Sequence, residues 1–106
     1  IATNGERIPP ELIVHVMRGA AACPGVEPMV AAARRDGWPL DVARIACPVR
    51  IAWGTADRVL PWPAGARRYR AELPHADWVE LDGVGHCPQL DAPLETAELI
   101  AGFAAG

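Results

Sequence analysis

Two short strand-like runs constrain the fold of this chain more than anything else in it. Val49–Gly54 (VRIAWG) is compact, apolar, β-branched and closed by a glycine, and Asp77–Gly83 (DWVELDG) reads as a second strand. Between them lie a loop, TADRVLPWP, and a helical stretch over Ala64–Leu73 with Pro74 just beyond it. Two strands separated by a helix pair in parallel through a right-handed crossover. Upstream, IPPELIVHVMRGAAACPG reads as a helix opened by proline, which a first turn tolerates. PMVAAARR (Pro28–Arg35) reads as a second helix stopped by Asp36-Gly37, and WPLDVARIACP as a connector. A last helix is expected over Ala92–Ala104, with Thr96, Leu99, Ile100 and Phe103 forming one core-facing stripe.

The order is therefore helix, helix, strand, helix, strand, helix. A two-stranded parallel sheet is not a stable unit, because parallel sheets need neighbours and a cover on both faces. The expected class is α/β, with these residues forming the back portion of a larger sheet. The lack of an initiator Met agrees with that expectation. Residues 1–46 read as a helical, cap-like connecting segment, and 47–106 as the core segment of one larger domain.

Sites in open α/β sheets form beyond the carboxyl ends of the strands. Asp57 follows the first strand in WGTADRVLP, and His86 follows the second in GVGHCP. A carboxylate and a histidine on successive strand-end loops have a plain chemical use. The carboxylate accepts the Nδ1 proton, fixes the tautomer and steadies the imidazolium formed in general-base catalysis. Glycines beside the histidine permit the tight turn that projects its ring. Blander readings stand beside these. Asp57 also suits an Asx turn or helix cap, and His86 a turn histidine with a satisfied hydrogen bond.

With those residues in view, the stretch Cys47–Phe103 resembles the C-terminal part of an α/β-hydrolase-fold enzyme. CPVRIAWGTADRVLP, ELPHADWVELDGVGHCPQLDAP and the closing ELIAGF carry the likeness in order. Residues 1–46 match less specifically, in the region where a helical cap often shapes the pocket. The resemblance implies that Asp57 is the triad acid and His86 the triad base. It implies no cofactor and no metal. Such enzymes hold their nucleophile upstream in a G-x-S-x-G elbow, with oxyanion donors beside it and on an early loop. Here there is no serine at all, and the one lookalike, Gly102-Phe-Ala-Ala-Gly106, has alanine at its centre. His86 is thus expected to serve a nucleophile in a missing N-terminal half of the same fold.

The remaining polar and apolar candidates read mostly as structure. Asp82 precedes a glycine and suits a turn; Asp91 also flanks the histidine. His15 and His75 read as surface or capping residues. Cys87 adjoins His86, but adjacent residues at a turn point apart, which argues against a Cys–His nucleophile. Met17, Met29 and Trp38 are candidates to line an apolar substrate pocket, with cap or core packing as the alternative. Trp53, Trp62 and Trp78 read as packing residues.

Composition excludes several function classes. With 51% hydrophobic and 22% charged residues the chain is globular, and a net charge of −3 gives no basic nucleic-acid footprint. All ten basic residues are arginine, and the Arg67-Arg68 pair reads as a solvated helix face. Cys23, Cys47 and Cys87 are widely spaced without a C-x-x-C, which suits buried or neutral thiols in a reducing cytoplasm. No apolar run is long enough to span a membrane, and IATNGERIPP does not have the form of a signal peptide. The expectation is a cytoplasmic hydrolase of a small ester-like or related apolar substrate, inactive as this chain alone. The fold also hosts carbon–carbon bond hydrolases, epoxide hydrolases, dehalogenases, perhydrolases and acyltransferases. A different class, a non-catalytic binding or interaction module on the same scaffold, stays open; a degenerate elbow upstream would favour it.

Overall fold

The computed structural model of the protein describes residues 2–3, 5–37 and 41–106. The chain divides into two compact units, Ile8–Asp41 and a second made of Ile1–Arg7 with Val42–Gly106.

The first unit is a helical pair. α1 spans Pro10–Ala22, with proline at its start where the missing N–H costs nothing. α2 spans Val26–Asp36 and ends at Gly37, whose φ of 69° lies in the positive range that glycine enters without strain. It begins earlier than Pro28, because a proline fits anywhere in a first turn that has no amide partners to lose. No residue of either helix is buried. Leu12, Ile13, Val16, Met17 and Met29 all stand exposed.

The second unit holds the sheet. β1 is Arg50–Gly54 and β2 is Asp77–Leu81. They run parallel, with Arg50 opposite Asp77 and Gly54 opposite Leu81. Between them lies α3, Ala64–Glu72, and after them come a short α4, Pro88–Asp91, and α5, Pro93–Ala105. Single turns of 3-10 helix occur at Gly5–Arg7 and Val42–Arg44, the second inside the expected connector. The core is small and gathers at the carboxyl ends of the strands, where Trp53, Ala66, Leu81 and Val84 are buried. Trp53 packs with Tyr69 of α3 at 5.7 Å and with Trp78 at 6.4 Å between ring centroids. Arg70 lies over both Trp62 and Trp78. The other ends of the strands are tied by Arg50, which donates to Asp77 at 2.7 Å and to the Leu99 carbonyl at 2.8 Å.

Two expectations need correction. Ile100 does not join the core stripe of the last helix. It is 66% exposed, whereas Thr96, Leu99 and Phe103 are half-buried. Among the described residues the sheet has two strands, which leave too little surface beneath the helix to cover the whole stripe. Nor are the thiols buried: Cys23 and Cys47 are exposed and Cys87 is half-buried, all free. Cys23 follows a helix without a buried face, and Cys47 lies in the connector before β1.

Candidate functional site

The loop after β1 is built around one carboxylate. Asp57 is 7% exposed, and its Oδ1 accepts the amides of Val59 at 2.8 Å and Leu60 at 2.9 Å. This is the Asx-type turn that the residue order permits. The second oxygen is not used locally. Oδ2 lies 2.9 Å from His86 Nδ1. The turn-forming and histidine-orienting readings of Asp57 are therefore not rivals, since each oxygen serves one of them.

The histidine is brought there by a turn packed against the end of β1. The Thr55 amide donates to the Leu81 carbonyl at 2.9 Å and the Ala56 amide to the Val84 carbonyl at 3.0 Å, which extends the contact past the strands. Gly83 takes φ 68°, a left-handed conformation that glycine enters without strain. Thr55 Oγ1 donates to Asp82 Oδ1 at 3.1 Å and accepts the Gly83 amide at 2.8 Å, so Asp82 is a turn former, as its place before glycine suggests. Gly54 makes the close approach possible. A Cβ built there would stand 2.1 Å from the Val84 carbonyl oxygen and 2.5 Å from that of Gly85.

The electrostatics set the direction of the central hydrogen bond. Burial raises the pKa of Asp57. Hydrogen bonds from His86, Leu60 and Val59, with the field of His86, more than offset this and hold the carboxyl below its ordinary value of 3.8. At neutral pH Asp57 is ionised and can only accept, so Nδ1 of His86 carries the proton. In the neutral ring Nε2 is then left with its lone pair. The His86 side chain is 35% exposed.

One further carboxylate belongs to this site. Asp91, at the end of α4, is buried, and its Oδ2 accepts the Gly85 amide at 2.8 Å. The Thr3 amide donates to the same group. Sequence reasoning noted that Asp91 flanks the histidine but gave it no task. Its signal was faint: an acid at the end of CPQLD, where Pro88 at a helix start already hinted at the short helix that was not foreseen. The part played by Thr3 had no local signal. A cavity of ≈ 290 Å³ opens beside both loops, lined by Ala2, Thr3, Ala56, Arg58 and Gly85.

The structure thus brings Asp57 and His86 together. Met17 and Met29 lie on α1 and α2 of the helical unit, and Trp38 lies outside the described residues. His15 and His75 are exposed. Among the described residues, no three of the His, Cys, Asp and Glu side chains gather to hold a metal ion, and no helix is long and apolar enough to cross a membrane.

A family model described as the alpha/beta hydrolase family matches residues 6–99. The chain belongs to that family. The match extends through α1 and α2, so the helical unit is part of the family's pattern as well as the sheet and its two loops. A hydrolase-like α/β fold is what this membership establishes.

Proposed function

We propose that these residues supply the acid and the base of a hydrolase triad, and that the nucleophile comes from a part of the fold outside this sequence. The observation that carries the reading is the 2.9 Å contact between Asp57 Oδ2 and His86 Nδ1, made by the loops at the carboxyl ends of two adjacent parallel strands. Asp57 holds the ring in the Nδ1-protonated tautomer. The lone pair on Nε2 takes the proton of an attacking hydroxyl or thiol and returns it to the leaving group, and Asp57 stabilises the imidazolium formed between those steps. The substrate class is a small ester-like or related apolar molecule. The absence of serine from all 106 residues favours an external nucleophile over one within the chain.

The test is hydrolysis of p-nitrophenyl butyrate. In the complete protein, Asp57→Asn should lower kcat by about 10⁴-fold, the loss seen in the serine-protease template, with folding retained. His86→Ala should abolish turnover. The 106-residue chain alone should be no faster than free imidazole at equal concentration, because nucleophile and oxyanion donors are missing. Full turnover in either variant of the complete protein would sink the proposal, whereas a complete protein with a degenerate elbow and no turnover would favour a binding module on the same scaffold.

A further inference from the structure

We infer that Asp91 is a positioning residue for His86, tying the turn that carries the imidazole to a segment near the start of the chain. The inference rests on the reading of His86 as a base. Asp91 is 9% exposed, and its Oδ2 accepts the amide of Gly85, the residue directly before the histidine, at 2.8 Å. The Thr3 amide reaches the same carboxylate, at 2.8 Å to Oδ1 and 3.0 Å to Oδ2, across a separation of 88 residues. Thr3 holds the turn a second time, since its Oγ1 donates to the Gly83 carbonyl at 3.0 Å.

These bonds fix what the strands do not. β2 ends at Leu81, so the backbone of Gly83–Gly85 takes its place from other contacts. Ala56 holds it from the β1 loop through the Val84 carbonyl. Asp91 and Thr3 hold it from two distant parts of the chain. A buried carboxylate that accepts two amides makes charge-assisted hydrogen bonds, which are stronger and more directional than neutral ones. The His86 ring must arrive within hydrogen-bond reach of Asp57 Oδ2, and a small displacement of its backbone breaks that contact.

The test pairs kinetics with a signal from the ring itself. In the complete protein, Asp91→Ala should lower kcat for p-nitrophenyl butyrate by about 10²-fold, the scale of loss for a small misplacement of a reacting group, with KM little changed. The downfield proton resonance of His86 Nδ1–H, which reports its bond to Asp57, should shift upfield or vanish. Asp91→Asn keeps one acceptor oxygen for Gly85 and should recover part of both. If Asp91→Ala fails to fold, Asp91→Asn decides the matter alone. Variants that fold with unchanged kcat and an unchanged His86 resonance overturn the inference, even if they melt earlier, because Asp91 would then be only structural. The resonance judges Asp91 even if His86→Ala proves fully active, which would defeat the functional reading instead.

Discussion

Asp57 shows how one side chain can satisfy two demands that look exclusive in sequence. WGTAD suits a turn, and the turn is there, but it occupies a single oxygen. The other oxygen meets His86, and both sets of bonds favour the charged carboxylate. The folded pKa lies below the ordinary value of 3.8, so Asp57 contributes stability that is fully present above that value. That contribution is lost as pH falls below 3.8 through the folded pKa. Acid titrations of the complete protein and of Asp57→Asn should therefore differ most above pH 3.8 and converge below it; parallel curves across that range would contradict the assignment. Gly54 is a second residue-scale test. Because a Cβ there would overlap two carbonyl oxygens, Gly54→Ala must force the end of β1 away from the histidine turn. Overpacking of this kind costs about 1–3 kcal/mol or more, so urea unfolding should show at least that loss. The same displacement should lower kcat, a coupling that an ordinary core defect would not require.

The elements were largely readable because each carries its own punctuation. β1 is an apolar run closed by a glycine and β2 a mixed one followed by a glycine-bearing turn, and α1, α2, α3 and α5 fall where proline and glycine bracket helical stretches. The short α4 escaped because four residues give no periodicity to read, and its proline serves equally well in a turn. Ile100 was misplaced for a different reason. Spacing says which residues share a helix face, and it does not say how much of that face the sheet can reach. Arg50 is the main tie at the opening ends of the strands. It pairs with Asp77, donates to the Leu99 carbonyl of α5 and lies 4.9 Å from the Phe103 ring centroid. Arg50→Ala should destabilise the protein by about 1–2 kcal/mol through the lost bonds to Asp77 and α5. The measure is the urea midpoint, and turnover at low denaturant should stay intact, since the pair sits far along the strands from Asp57.

Considered whole, the chain leaves much apolar surface uncovered. Leu94 is 79% exposed and Met17 and Ile100 66% each, and among the described residues the sheet has two strands, each with one edge unpaired. Soluble monomers rarely expose that much, and open strand edges invite pairing with other chains. The 106-residue chain expressed alone should therefore associate or bind a hydrophobic dye such as ANS. Light scattering after size exclusion checks this, and a strict monomer with a sharp two-state melt and no dye binding would refute it.

What the sequence determined by itself was local and periodic: the α/β class, the parallel pairing implied by strand, helix, strand, and the two strand-end positions of Asp57 and His86. These follow from neighbours a few residues apart, where chain geometry leaves few choices. Only the tertiary structure decided the contacts made across long separations. It divided the two oxygens of Asp57 between a turn and a histidine, made Gly54 indispensable to the approach of the turn, and brought the Thr3 amide to Asp91. No pattern in a linear chain encodes a hydrogen bond between residues 3 and 91, because it exists only once the sheet has placed both ends in the same space.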